Sequence, residues 1–98
     1  MAIISFKNIA NEDIHNGKRS KKALRILPLA LHKKCRVKFA KLGAATSLDD
    51  LRSLRGNRLE ALKGDRKRQY SIRINEQYRI CFKWKNKNAY EVEVIDYH

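Results

Sequence analysis

The sequence is short of proline, glycine, cysteine and long apolar runs, and each shortage excludes a kind of protein. With one proline and four glycines in 98 residues, it contains no linker or low-complexity segment. No apolar run approaches the roughly 18 residues that cross a bilayer, and the first residues do not resemble a signal peptide. The two cysteines, Cys35 and Cys81, lie in separate apolar segments and belong to no metal-ligand cluster. We therefore expect a single cytoplasmic domain over residues 1–98, with no metal, no other cofactor and no membrane segment.

Acidic residues are also scarce, whereas basic residues are abundant. Twenty-three lysines and arginines stand against ten aspartates and glutamates, which gives a net charge of +13 and a pI near 10.2. The excess is spread along the chain, at +9 over residues 1–44 and +4 over residues 45–98. Solubility alone needs a net charge of only about 2–8 in a small domain. The composition therefore favours a polyanionic partner, such as nucleic acid or a ribonucleoprotein, and leaves an acidic protein open.

The first half of the chain has helical periodicity. Apolar residues recur at steps of three and four along one stripe, made of Leu24, Pro28, Leu31, Cys35, Phe39 and Leu42. The stripe predicts a core-facing helix that begins at about Pro28 and is terminated by Gly43. The lysines and arginines of residues 33–41 fall mostly on the opposite face, which is either solvated or contacts a partner. Short helices are expected over about 8–15 and after Ser47, whose hydroxyl can cap a helix that continues through Leu51 and Leu54.

In the second half of the chain, apolar residues alternate with polar ones, which is the period of a β-strand. Three such runs, residues 70–74, 78–84 and 90–94, are joined by the short turns NEQ and KNKN, and RLEAL at 58–62 precedes them. Short turns between alternating runs indicate antiparallel hairpins. With the β-prone run IISF at 3–6, the pattern predicts an α+β fold. Its N-terminal helices pack on one face of a small antiparallel β-sheet of four or five strands.

Basic and proton-transferring side chains converge on one region of this predicted sheet. Arg73 and Arg79 lie on neighbouring strands with the parity of one shared face, where like charges repel. The preceding turn adds Lys63, Arg66, Lys67 and Arg68, and the last strand leads to Asp96, Tyr97 and His98. Metal-free RNA cleavage needs such groups: one takes the 2′-OH proton, another protonates the 5′-oxygen, and cations stabilise the dianionic phosphorane. The alternative is that the long arginine side chains extend apart into water.

Residues 56–98 carry four blocks in a recognisable order: LKGDR, YSIRIN, YRICFKW and VIDYH. In this order and at this spacing they resemble the HigB branch of the RelE/ParE-like toxins, the plasmid maintenance system killer proteins. The resemblance implies the RelE/ParE-like microbial RNase fold and the toxin of a type II toxin–antitoxin system. It further implies a metal-independent, ribosome-dependent mRNA endonuclease that cuts the message in the A site and inhibits translation. The implied partners are the ribosome, mRNA and a HigA-type helix-turn-helix antitoxin.

The resemblance also assigns site residues. Catalytic roles carry over to Lys63, Arg79, Asp96, Tyr97 and His98, and Glu60 stands where some members place a catalytic histidine. Glu60, Tyr97 and His98 therefore remain alternatives for the general base. Contacts with RNA or the ribosome are expected from the neighbouring bases Arg66, Lys67, Arg68, Arg73 and Lys83.

Two other functions are compatible with this sequence. A ParE-like gyrase poison shares the fold but needs no proton-transfer groups, so Lys63, Arg79 and the Asp-Tyr-His segment count against it. A non-catalytic basic domain that only binds nucleic acid leaves that segment without a chemical role. Cleavage of a message during translation distinguishes the three functions.

Overall fold

Helices occupy the first half of the chain and strands the second. The computed structural model describes residues 3–96, except for the side chain of Arg55. Within that range the helices are α1 (Ile9–His15), α2 (Lys21–Ile26), α3 (His32–Ala44) and α4 (Leu48–Arg52). The strands are β1 (Glu60–Ala61), β2 (Gln69–Arg73), β3 (Tyr78–Lys85) and β4 (Asn88–Asp96), and short 3-10 turns occur at Leu29–Leu31, Arg55–Asn57 and Gly64–Arg66. This order confirms the predicted α+β fold.

The sheet has the order β1-β2-β3-β4, and each pair of neighbours is antiparallel. The predicted hairpins are therefore confirmed, although β1 contains only two residues of the run 58–62. At the start of the run, Arg58 has a left-handed backbone (φ 44°) rather than an extended one. The N-terminal run IISF is also extended and forms parallel bridges with β4, one of them between Phe6 and Val92. It therefore covers part of the edge that β4 presents.

The helices pack on one face of the sheet and build one apolar core. From the strands, Ile72, Ile80, Phe82 and Val92 are fully buried, which confirms the predicted alternation. The helical half contributes the buried residues Ile14, Ala23, Leu27, Cys35, Phe39, Leu42 and Leu51. The opposite face, called the outer face below, carries Glu60, Ser71, Cys81 and Glu93 in one row and Arg73, Arg79 and Ile95 in the next. Polar and charged strand residues therefore gather on the outer face.

The long helix predicted from Pro28 begins later than expected. Pro28 has an extended backbone (ψ 140°) and precedes a 3-10 turn, so α2 and α3 are separate helices. The predicted stripe is right for Cys35, Phe39 and Leu42, which are buried in α3, and for Leu31, which is partly buried against the core, but wrong for Leu24 and Pro28, which are exposed. Leu24 is 42% exposed, and Leu27 is buried instead, because the break at Pro28 resets the helical phase. Gly43 lies inside α3 rather than ending it.

The predicted cap of α4 is confirmed. Ser47 Oγ accepts a hydrogen bond from the backbone N–H of Asp50 at 3.2 Å. The Asp50 carboxylate in turn accepts hydrogen bonds from the backbone N–H and the hydroxyl of Thr46, at 2.8 and 2.9 Å. These bonds from Thr46 hold the pKa of Asp50 below its ordinary value. The helix ends at Arg52, earlier than predicted, because Leu54 already has an extended backbone.

Lys38 is an exception to the prediction that the lysines and arginines of residues 33–41 fall mostly on the face opposite the stripe. It is only 8% exposed, and its Nζ donates a hydrogen bond to Asn57 Oδ1 at 2.7 Å. Asn57 Nδ2 donates in turn to the backbone carbonyl of Leu51 at 3.1 Å. Burial lowers the pKa of Lys38, and the charges of Lys41 and Lys34 lower it further. The sequence pattern does not reveal this contact because Asn57 is brought to α3 by tertiary packing.

We expect Asn57→Ala to lower the free energy of unfolding by about 1–3 kcal/mol, the cost of leaving buried polar groups without a partner. The substitution removes the acceptor of Lys38 Nζ and the donor to the Leu51 carbonyl. Urea denaturation measures the loss. Asn88→Ala is a suitable control because the Asn88 amide donates to an exposed carbonyl, and it should change stability by less than about 0.5 kcal/mol. Equal losses in the two variants contradict the prediction.

Candidate active site

A groove of about 910 Å³ lies between β1, the following turn and the end of β4. Its walls are formed by Glu60, Ala61, Leu62, Lys63, Arg66, Ile95 and Asp96. Four of the predicted site residues, Glu60, Lys63, Arg66 and Asp96, therefore meet in one place. Tyr97 and His98, which follow Asp96 in the chain, lie outside the described residues. The groove unites the LKGDR block with the beginning of the VIDYH block.

The turn that carries Lys63 is shaped by Gly64. Gly64 has a left-handed backbone (φ 64°), which glycine adopts without steric cost. Lys63 just before it is extended and exposed, and its backbone carbonyl accepts a hydrogen bond from the N–H of Arg66 at 3.3 Å. A second bond, from the N–H of Leu62 to the carbonyl of Gln69 at 2.9 Å, fastens the turn to the start of β2. The turn thus presents Lys63 at the rim of the groove.

Arg66 is held in the groove by residues of two strands. Its Nη1 lies 3.1 Å from Glu93 Oε2 and 3.2 Å from Gln69 Oε1. Glu93 is half-buried on the outer face and also lies 3.9 Å from Lys7 Nζ. Part of the charge of Arg66 is therefore offset by Glu93, while the guanidinium keeps a defined position. Glu93 was not identified from the sequence, because no local pattern links residues so far apart in the chain.

Asp96 occupies the end of β4, opposite Tyr78 of β3. Its Oδ2 accepts a hydrogen bond from Gln77 Nε2 at 3.1 Å, which anchors the carboxylate at the groove wall. With Glu60 on the other wall, the groove holds two carboxylates beside two cations. Carboxylates can accept or return protons, and Lys or Arg can neutralise phosphate charge, so this set suits acid–base chemistry on a phosphodiester. Among residues 3–96, no three His, Cys, Asp or Glu side chains are grouped to hold a metal ion.

Arg79 lies beside this groove rather than on its walls. It is 7% exposed, and its Nε donates to Ser71 Oγ at 2.7 Å. Its Nη2 donates to the backbone carbonyls of Arg58 and Ser71, at 2.5 and 3.3 Å. The guanidinium lines an adjoining hollow together with Arg58, Arg73, Asn75 and Glu76. Arg79 is therefore a rigidly oriented cation next to the groove.

Arg73 and Arg79 lie on one face of neighbouring strands, as predicted, and the structure makes them direct cross-strand partners. Their repulsion is reduced because each guanidinium has other partners. Arg79 is bound by the oxygens of Ser71 and Arg58, and Arg73 Nη2 lies 3.8 Å from the exposed carboxylate of Glu76. The alternative, that these side chains extend apart into water, is wrong for Arg79, whose guanidinium donates to Ser71 of β2.

The other predicted RNA-binding residues do not lie in the groove. Lys67 and Arg68 are exposed in the turn before β2. Lys83 pairs with Glu91 at another hollow, lined also by Ser5 and Tyr90. The structure therefore does not bring Lys83 to the groove, and leaves Lys67 and Arg68 on the surface near its turn.

The two cysteines are free and buried, as the sequence predicted. Burial raises the pKa of Cys35 to about 12 and that of Cys81 to about 11. Cys81 lies on the outer face, close to Arg66, Arg79, Glu93 and Glu60, but at neutral pH it remains a thiol. Since the thiolate is the nucleophilic form, Cys81 is not a candidate nucleophile.

Ser71 is a positioning residue that sequence reasoning missed. Residues at equal distances before and after Glu76 pair across the turn. Ser71 therefore lies opposite Cys81 and diagonal to Arg79. That register was available from the turn and the alternation. The role of Gln77 toward Asp96 had no such signal, because it depends on where β4 ends.

Comparison with known proteins identifies the family. Residues 8–98 match the RelE-like toxin of type II toxin-antitoxin system HigB. The chain belongs to this HigB-like family. It is 42% identical over 60 residues to Toxin HigB-1 of Vibrio cholerae serotype O1, a match that covers 61% of this chain and 63% of that protein. It is 38% identical over 63 residues to an uncharacterized protein of Haemophilus influenzae, with 64% and 62% covered.

Membership of the HigB-like family confirms the resemblance seen in the four sequence blocks and agrees with the observed α+β fold. The aligned regions span less than two thirds of the length of the two curated relatives. In the part of the chain that the structure describes, no helix is both long and apolar enough to cross a membrane.

Proposed function

We propose that this HigB-like protein is the toxin of a type II toxin–antitoxin system and cleaves mRNA in the ribosomal A site. The observation that carries the proposal is the groove in which Glu60, Lys63, Arg66 and Asp96 meet. A groove with both proton carriers and cations suits phosphodiester cleavage, which a ParE-like gyrase poison or a simple nucleic-acid-binding domain does not require. Membership of the toxin family supports the same function.

The proposed reaction is an attack of the ribose 2′-oxygen on the adjacent phosphorus without a metal ion. A general base, for which Glu60, Tyr97 and His98 are the candidates, takes the 2′-OH proton. The bond from phosphorus to the 5′-oxygen breaks, and a general acid protonates that oxygen. Lys63 and Arg79 stabilise the phosphorane, and Asp96 orients the proton carriers. The products are a 2′,3′-cyclic phosphate and a 5′-hydroxyl.

The proposed partners follow from charge and family. A surface with a net charge of +13 favours ribosomal RNA through phosphate contacts, and the exposed Lys67 and Arg68 are suited to make them. Neutralisation requires an antitoxin, for which a HigA-type helix-turn-helix protein is the candidate. It can act by covering the groove or by blocking entry to the ribosome.

Translation of a defined reporter message in a purified system tests this function. We expect cleavage of the message only when ribosomes translate it, with a 2′,3′-cyclic phosphate or its 3′-phosphate product at the new end. A 3′-hydroxyl at the primary cut contradicts attack by the 2′-oxygen. Linear plasmid in a parallel gyrase reaction identifies a gyrase poison, and RNA binding without either product identifies a non-catalytic domain.

A further inference from the structure

A second basic surface lies next to the candidate active site. Two neighbouring hollows of about 300 and 390 Å³ share Arg73, Asn75 and Glu76 as lining residues. The smaller is also lined by Lys34, Lys38, Gly56 and Ile74, and the larger by Arg58 and Arg79. We call the two hollows together the basic furrow. Among the described residues that line it, five carry a positive charge and one, Glu76, carries a negative charge.

Lys38 is a constrained cation of the basic furrow. It is nearly buried, and its ammonium is oriented by the neutral amide of Asn57 at 2.7 Å. In the described part of the chain, no carboxylate lies within 4.0 Å of its Nζ. A buried ammonium has lost much of its hydration, so an anion entering the furrow meets a cation that costs little to desolvate. Lys34, one turn earlier on α3, extends the same positive region.

The single carboxylate of the basic furrow is weakly held. Glu76 has a side chain that is 94% exposed, and its oxygen lies 3.8 Å from Arg73 Nη2. Exposed ion pairs of this kind contribute only about 0.2–1 kcal/mol. A phosphate can therefore replace Glu76 as the partner of Arg73.

We propose that the basic furrow binds consecutive phosphates of an RNA strand and leads that strand to Arg79 and the candidate active site. Lys34 and Lys38 bind one phosphate, and Arg58 with Arg73 binds the next. The proposal rests on the proposed function in taking RNA as the ligand. An acidic protein segment fits less well. Protein interfaces usually have an apolar centre. The one aliphatic residue that lines the basic furrow, Ile74, is buried and cannot provide one.

A charge-matched pair of double variants tests the proposal. Lys34→Gln with Arg58→Asn removes two exposed cations of the furrow, and asparagine tolerates the left-handed backbone at residue 58. Lys33→Gln with Lys87→Asn is the control. Lys33 is an exposed cation of α3, like Lys34, and Lys87 is an exposed cation with a left-handed backbone (φ 66°), like Arg58, but neither lines the furrow. Both double variants have the same net charge. The probe is a 12-nucleotide RNA with 2′-O-methyl groups, which cannot be cleaved.

The furrow variant should bind this RNA about 25-fold more weakly at 0.1 M salt, since each lost phosphate contact to a single strand costs about fivefold there. The slope of log affinity against log salt should become shallower by about 1.4. The control should lose less than about threefold. The measurement is repeated with ribosomes that lack message. The furrow variant should bind them as tightly as the control does, because the strand led to the active site is the message. A larger loss in the furrow variant identifies ribosomal RNA as the ligand and overturns the path to the active site.

A second pair of variants reverses the sign of the effect. Glu76→Gln removes the carboxylate that competes with phosphate for Arg73, and should tighten RNA binding by roughly 1.4–5-fold. Asp49→Asn is its control, because Asp49 is likewise exposed and paired with an arginine three residues away, outside the furrow. Equal effects of Glu76→Gln and Asp49→Asn contradict a specific site.

Two further results overturn the proposal. Equal loss of RNA affinity in the two double variants means that only net charge matters. Retained RNA affinity in the furrow variant, with lost affinity for the cognate antitoxin, makes the furrow a protein-binding site. The translation assay on the wild-type protein distinguishes failure of this proposal from failure of the proposed function. If RNA binds in the furrow but no message is cleaved, the nuclease function is rejected and the RNA-binding role of the furrow stands.

Discussion

His98→Ala should lower the rate of message cleavage by roughly 10²–10⁴, the usual loss when a positioned general acid or base is removed. The imidazole titrates near pH 6.5 when unperturbed, so His98 can carry a proton in either step of the reaction close to neutrality. It follows Asp96, which lines the groove, by two residues. The measurement is single-turnover cleavage of a ribosome-bound message, with affinity for ribosomes determined on the same samples. Ribosome affinity should remain nearly unchanged, because one histidine is a small part of a surface with a net charge of +13.

The matched control is His15→Ala, which removes the same side chain from an exposed position on α1 outside the groove. Cleavage by this variant should stay within about twofold of wild type, in keeping with the small effects of most surface substitutions. Urea denaturation of both variants separates loss of chemistry from loss of fold. Full cleavage by His98→Ala transfers the proton-transfer role to Glu60, Asp96 or Tyr97.

Arg79→Ala should lower cleavage by roughly 10²–10³, by analogy with the loss of one preorganised donor to a developing oxyanion. The guanidinium is suited to this role because Ser71 and the carbonyl of Arg58 fix its orientation before RNA arrives. The same variant should lower the free energy of unfolding by about 1–3 kcal/mol, since those buried oxygens lose their donor. Cleavage must therefore be measured at a temperature where the variant is fully folded, as verified by circular dichroism.

Arg79→Lys distinguishes orientation from charge. Lysine keeps the positive charge but cannot donate through a planar fork to Ser71 and Arg58 together. If orientation matters, Arg79→Lys should retain ribosome affinity and still lose most of the cleavage rate. If activity in both variants falls only in proportion to the folded fraction, Arg79 is structural.

The fold class and most of the strand pattern can be predicted from the sequence. Alternation of apolar residues in β2, β3 and β4 predicts which face is buried, because side chains of a strand point to opposite sides in turn. The short turn centred on Glu76 predicts the register, and with it the pairing of Arg73 and Arg79. The four blocks of residues 56–98 also identified the family, which the match over residues 8–98 confirmed. These features are local, and local patterns can be read from one sequence.

The positions of the charged side chains depend on tertiary packing. Lys38 lies three residues after Cys35 and four before Leu42, so periodicity puts it beside the apolar stripe, but its partner is supplied by the chain after α4, which brings the Asn57 amide oxygen within 2.7 Å of its Nζ. Arg66 is anchored by Glu93 and Arg79 by Ser71, and these contacts join residues from different elements. Long flexible side chains reach several alternative partners at similar cost, so their partners depend on the packed position of distant segments. The basic furrow, which joins cations of α3 to Arg79 beside the groove, depends on the same packing. The sequence shows how many cations the chain has, but only the fold shows which of them lie together.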